Sequence, residues 1–204
     1  MAKINAGLFV TLDGVAERPE TWNPPYFDGE MGAELASAMG EAAGLLLGRV
    51  TYEEWAAFWP NQPAEQNPMA PLINSKRKFV VSNTLDSVDW ENAMLVKGDL
   101  ETEVSKLKER SSGDLLVSGS ITLVQSLLSQ DLLDQLSLLI HPLVLGSGRR
   151  LLDRVDGTKK LELVDSKSFG SGVVSLVYRR ADKGERARRG TSRESPEHRT
   201  SISR

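Results

Sequence analysis

Three short stretches carry residue types suited to holding an anion. In LLLGRVTYEEW (45–55) an apolar run ends at Gly48, Arg49 follows, and a helical pattern opens near Thr51. In LLVSGSITLVQSLL (115–128) a second apolar run meets Gly119-Ser120, and a helical pattern follows from Ile121. In KFVVSNTL (78–85) a third ends at Ser82. A helix N-terminus offers unpaired N–H groups and the positive end of the helix dipole. A glycine lets a phosphate come close to the backbone. Two such N-termini on one sheet edge suit a pyrophosphate, and the planar donor fork of Arg49 suits a phosphate monoester. Taken singly, each stretch is equally a plain turn; their joint occurrence is what points to a ligand.

Asp13 stands at the end of the first apolar run, before Gly14, and an aromatic- and proline-rich loop follows it with Trp22 and Phe27. A carboxylate there can accept N–H groups of a heterocycle while the aromatics stack on it, or it can be an Asp-Gly turn. His141 lies in the apolar LIHPLVLGSGRRLL (139–152), and GSGRR (146–150) reads as either a phosphate-friendly loop or a flexible turn. With one histidine before the tail and no cysteine, thiol chemistry is excluded and no metal site is expected. Neither G-x-G-x-x-G nor a Walker-type phosphate loop is present. A nucleophile elbow for Ser-His-Asp catalysis is missing too.

The elements that must position these residues alternate in type. Strand patterns cover 3–12, 44–47, 78–82, 94–96 and 114–117, and helical patterns start at Asp28, Thr51, Asp99 and after Ser120. Thr51 with Glu54 has capping-box spacing, and 60–77 reads as connection only. LSLLIH gives one more strand, and 161–168 with 173–179 form a hairpin around Phe169–Gly172. Repeated strand–helix units predict a three-layer α/β fold: a mostly parallel central sheet with helices on both faces and a C-terminal antiparallel hairpin.

The 204 residues suit one domain over 1–181 and a charged tail over 182–204. The net charge of −3 and 40% apolar content predict a soluble, cytoplasmic protein without general affinity for nucleic acid, and no stretch is apolar enough to span a membrane. From Asp182 onward seven Lys/Arg stand against four Asp/Glu and Ile202 is the one large apolar side chain, so the tail is expected to be disordered.

In order along the chain, TLDG (11–14), LLLGRVTYEEW, KFVVSNTL, KGD (97–99), LLVSGSITLVQSLL and LIHPLVLGSGRRLL resemble the dihydrofolate reductase-like family. The branch they resemble is the C-terminal reductase domain of bacterial riboflavin-biosynthesis deaminase-reductases and its stand-alone relatives, over about residues 3–180. The resemblance implies an NADPH-binding reductase, commonly a homodimer, acting on a small-molecule substrate. It places Gly48, Arg49 and Thr51 at the cofactor phosphates, Ser82 near the adenosine ribose and its 2′-phosphate, Gly119, Ser120 and Ile121 along the pyrophosphate, and Asp13 where nicotinamide meets substrate. Asp13 and a bound water are the candidate proton donors. The chain has Asp134-Gln135 where the family often has Asp-Glu, and it lacks the H-x-E and P-C-x-x-C of a zinc deaminase. Three other readings remain: a non-catalytic NADP(H)-binding module, an RNA or membrane binder acting through the tail, and a hydrolase using His141.

Overall fold

The structure is a computed structural model that describes residues 1–181; the tail expected over 182–204 lies outside the described residues. β1 (Ile4–Thr11) buries Ile4, Ala6, Leu8 and Val10 on one face, with the two-residue period of a strand. α1 (Gly29–Glu41) starts where the Asp28 carboxylate accepts the Met31 N–H. β2 (Gly44–Gly48) is buried on both faces from Gly44 to Leu47, as a central parallel strand must be. There follow α2 (Arg49–Phe58), α3 (Met69–Ser75), β3 (Lys78–Val81), β4 (Ala93–Val96), α4 (Leu100–Arg110), β5 (Leu115–Ser118), α5 (Ile121–Ser129), β6 (Gln135–His141), β7 (Leu161–Ser168) and β8 (Val174–Arg180).

The eight strands form one sheet in the order β4-β3-β2-β5-β1-β6-β8-β7. β1 to β6 run parallel, and β8 and β7 are antiparallel. On one face, Val104 and Leu107 of α4 and Leu123, Val124 and Leu127 of α5 pack with Ile4, Leu8, Leu46 and Val117. On the other, Tyr52 of α2 and Ile73 of α3 pack with Leu45, Leu47 and Val80, and Met31 of α1 packs with Leu139. Adjacent leucines of β2 thus serve opposite cores. This is the three-layer α/β arrangement with an antiparallel end that the sequence patterns predict.

Two local expectations fail. α2 begins at Arg49 with Gly48 as N-cap, so Thr51 lies inside the first turn and caps nothing. Residues 60–77 are not all connection: α3 forms there because Ala70 and Ile73 can be buried, while Pro71 occupies a first-turn position whose N–H would have no partner.

Lys78, fully buried, closes the far edge of the sheet. Its Nζ donates to the carbonyls of Asn74 (2.6 Å), Lys76 (2.9 Å) and Glu91 (2.9 Å) and lies 4.2 Å from the Trp90 ring centroid. All three protons are used, so one side chain ties the end of α3 to the start of β4, although burial pulls its pKa down to about 8. Lys78→Met leaves three carbonyls without a donor and is expected to lower unfolding free energy by about 2–4 kcal/mol. Denaturant titration checks this; an unchanged midpoint would mean that solvent reaches those carbonyls.

Candidate active site

Parallel pairing brings the C-terminal ends of six strands to one rim: Thr11, Gly48, Val81, Val96, Ser118 and His141. Gly48, Ser82 and Gly119 therefore share an edge. The chain leaves β2 toward α2 on one face and joins β3, and it leaves β5 toward α5 on the other face and joins β6 beyond β1. Neighbouring strands whose connections diverge leave a crevice between their ends, the usual ligand position in open α/β sheets.

A single hydroxyl spans that crevice. Ser120 Oγ accepts the Gly48 N–H (2.8 Å) and donates to Thr51 Oγ1 (2.8 Å). To reach there, Gly119 and Ser120 both adopt left-handed backbone, at φ 69° and 58°. For a serine this costs about 1–2 kcal/mol. A Cβ on Gly119 would also meet the Thr51 side chain at 3.4 Å. The N-termini of α2 and α5 are thus held side by side, with Ile121 as the first residue of α5.

Arg49, in the first turn of α2, directs Nη1 to the Glu53 carboxylate (2.9 Å), with both side chains about half exposed. Such a pair is worth only a few tenths of a kcal/mol, so an anion can displace Glu53 at little cost. Ser82 is buried, and its Oγ accepts the N–H groups of Thr84 and Leu85; it shapes the turn after β3. Asn83 then clasps Gly98 through both its amide oxygen and its amide nitrogen, joining the ends of β3 and β4.

Asp13 is not poised to give a proton. Its carboxylate accepts from Thr11 Oγ1 (2.6 Å), Gly146 N–H (2.9 Å) and Leu145 N–H (3.2 Å), and Arg150 Nη2 stands 3.7 Å away. Bonding by Thr11 first, then by the two backbone N–H groups, lowers its pKa to about 2 against the opposing pull of desolvation. It is ionised at neutral pH, which weighs against Asp13 as the proton donor and favours the other candidate, a bound water. The carboxylate fastens the GSGRR loop to the rim instead. That loop is no slack turn: Arg150 Nε donates to the Asp13 carbonyl, and Arg149 Nη2 reaches Thr122 Oγ1 (2.9 Å) in the first turn of α5. Arg149 is thus a second guanidinium at the rim. The sequence shows it only as part of a basic pair after two glycines, with nothing to indicate that it meets α5.

His141 is fully buried, ringed by the edges of Phe9, Trp22 and Tyr26 at 5.0–5.7 Å between centroids. Nδ1 donates to the Leu139 carbonyl (3.0 Å), and Nε2 meets the Asn23 amide at 2.7 Å. Burial lowers its pKa, and the ring pins the 15–28 loop through Asn23 Oδ1. A hydrolytic base would need to reach a substrate, and this ring is closed off. Trp22 is likewise turned inward, its Nε1 bound to the Glu17 carbonyl, so it is not available to stack on a ligand as expected. Phe27, 46% exposed, rests on Gly32 in the first turn of α1. The departure from the family pattern at Asp134-Gln135 falls at the start of β6, on the edge opposite the rim. Among the described residues no helix is long and apolar enough to cross a membrane, and no three His, Asp or Glu side chains group as metal ligands.

Residues 2–175 match the RibD C-terminal domain. The chain belongs to that family. It is 31% identical over 181 residues to the uncharacterized protein YyaP of Bacillus subtilis (strain 168), covering 86% of this chain and 94% of that one. A solved structure from Shewanella sp. PV-4, named for riboflavin biosynthesis, superposes with a TM-score of 0.69 at 24% identity, over 89% of this chain and all of that one. Dihydrofolate reductase from Enterococcus faecalis, in complex with NADP(H) and RAB-propyl, gives a TM-score of 0.59 at 14% identity, over 88% and 97%. The fold is that of the dihydrofolate reductase-like proteins.

The Asp13 carboxylate, with its pKa depressed from 3.8 to about 2, stabilises the fold fully above pH 4, and this contribution is lost as pH falls toward 2. Exchange of the Leu145 and Gly146 amide protons, relative to the intrinsic rate at each pH, is expected to accelerate across that window, ahead of the core amides. In Asp13→Asn it should be fast already at pH 7. Protection that persists in the variant would show that the loop is held by other contacts.

Proposed function

We propose that this chain is an NADPH-dependent reductase that delivers hydride to a C=N or C=O bond of a small polar heterocycle, pyrimidine- or pterin-like. The observation that carries the reading is the pair of helix N-termini coupled through Ser120 at the crevice between β2 and β5. Its donors suit a phosphorylated dinucleotide: backbone N–H groups at Arg49 and Ile121 for the pyrophosphate, and the Arg49 guanidinium for a further monoester. The structural kinship with a reductase complexed with NADP(H) supports the same choice.

Bound there, NADPH supplies the hydride. Gly48 and Gly119 let the phosphates approach the backbone, Thr51 and Ser120 keep the two turns in register, and Ser82 shapes the turn beside them. Asp13, ionised and fully bonded, holds the 143–146 loop, so the proton reaches the substrate from solvent water. Phe27 keeps an exposed ring and is the loop aromatic left to face a substrate.

One observation favours a second reading, a non-catalytic NADP(H)-binding module. Asp13 and His141, the two rim groups the sequence singles out for proton transfer, are both fully engaged. Titrating NADPH and then following its oxidation with pterins, pyrimidines and quinones separates the two readings: turnover of any of them supports the reductase, and binding without turnover supports the module.

Arg49→Ala is expected to weaken NADPH about ten- to a hundredfold while leaving NADH nearly unchanged, since a hydrogen bond to a charged group contributes roughly 1.5–3 kcal/mol. Ser120→Gly keeps the left-handed turn but removes the bridge, and it should weaken both cofactors alike. Fluorescence titration reads both effects. Equal losses of NADPH and NADH affinity in Arg49→Ala would remove the role assigned to its guanidinium.

A further inference from the structure

At its β4 edge the sheet leaves a trough against α4. A cavity of about 590 Å³ opens there, of the size that takes a small organic ligand. Its floor is apolar: Phe79, Val96 and Leu107 belong to the core under α4, and Met94 continues that floor outward. Met94 pairs with Phe79 in register and shares the α4 side with Val96, yet it is 51% exposed. The helix leaves this part of the edge strand uncovered.

The walls are charged, and unevenly so. Arg77, Lys97, Lys106 and Arg110 line the cavity with Asp86 and Glu103, four cations against two carboxylates in a chain whose net charge is −3. Both carboxylates are already paired, Asp86 with Lys97 (3.7 Å) and Glu103 with Lys106 (2.7 Å). The two guanidiniums are left over: among the described residues neither meets a carboxylate. Arg110 ends α4, where the negative end of the helix favours a cation. Arg77 has no such reason for its place. It precedes β3, and its carbonyl accepts the Leu45 N–H (2.7 Å), so a fixed stem carries the exposed side chain. Since β3 runs toward the rim and α4 returns from it, Arg77 and Arg110 both stand at the end away from the rim. The unpaired positive charge therefore collects at one end of an apolar trough.

We propose that the trough between β4 and α4 binds a small amphipathic carboxylate, with its head on Arg77 and Arg110 and its apolar body along Met94, Phe79 and Leu107. A planar guanidinium matches a carboxylate through two parallel N–H···O bonds. An ammonium head would meet the same guanidiniums and be repelled. The four residues of β4 span about 13 Å, which suits an unbranched chain such as that of decanoate. The head group sits at the opposite end of the strands from Gly48 and Ser120, so the proposal does not depend on the cofactor reading.

Isothermal titration of the full chain with decanoate, kept below its micelle-forming concentration, is expected to saturate. Decyltrimethylammonium, with the same body and the opposite charge, should bind at least tenfold more weakly. Arg77→Gln removes a hydrogen bond to a charged group and should weaken decanoate at least tenfold. Its denaturation midpoint should not change, because the side chain is exposed. Arg77→Gln with Arg110→Gln should abolish saturation. The methyl resonance of Met94 should move as decanoate is added, and Arg49→Ala, at the rim, should leave the affinity as it is. An absence of saturable binding would overturn the proposal. So would equal binding of the cationic probe, a Met94 methyl that does not move, or a loss caused by Arg49→Ala in place of Arg77→Gln, which would put the anion at the rim.

Discussion

The candidate site depends on one hydroxyl that holds two strand ends together. Ser120 Oγ takes the Gly48 N–H and gives its own proton to Thr51, and both bonds cross the gap between β2 and β5. Gly48 and Thr51 come from one turn, and Ser120 from another about seventy positions along the chain. Without this bridge the two turns would be joined only by the strands beneath them. With it, the α2 and α5 N-termini form a single surface of N–H donors. The left-handed backbone at Gly119 and Ser120 is the local cost of that geometry. Backbone strain of this kind persists where surrounding contacts enforce it, and it is concentrated at functional sites.

The rest of the rim is rigid by the same means. Asp13 collects two loop amides, Arg150 returns to the Asp13 carbonyl, and Arg149 lies on α5. His141, enclosed by three aromatic edges, holds the 15–28 loop through Asn23. Both titratable groups that stand out on the rim thus serve as anchors. On the proposed reading, a site built this way orients its ligands and leaves proton supply to solvent. Such a division suits hydride transfer, in which the bound cofactor carries the reactive atom.

Local periodicity made most of the fold legible, because strand and helix periods differ and the apolar residues respect them. β1, β5 and the β7–β8 hairpin lie within a residue or two of their patterns, and Asp28 and Asp99 cap α1 and α4 as read. The failures have local causes. Thr51 and Glu54 imitate a capping box, yet Gly48 is the N-cap, and its N–H finds its partner in the turn after β5, which no window around residue 51 contains. α3 hides behind Pro68 and Pro71, whose breaking effect vanishes at the start of a helix. At the site, residue types located the strand ends but not what they touch. Asp13 reads as a free carboxylate because its partners, Leu145 and Gly146, are more than 130 positions away. Trp22 reads as a stacking residue because the sequence does not show that His141 fills the space beside it.

The two ends of the sheet differ because parallel and antiparallel strands are connected differently. Most of the parallel crossovers bring a helix with them, the β3–β4 connection excepted, so the inner strands arrive with both faces covered and all six ends converge on one rim. A hairpin brings no helix. When β8 and β7 are added beyond β6, the sheet grows wider; α1 extends over one face, and on the other Leu138, Ile140 and Tyr178 pack against the core that α5 helps to form. The sequence places leucine, isoleucine and valine on that second face and directs most of the strand charges to the α1 side. The parallel strands, by contrast, bring their C-terminal ends to one rim, where a ligand can meet them.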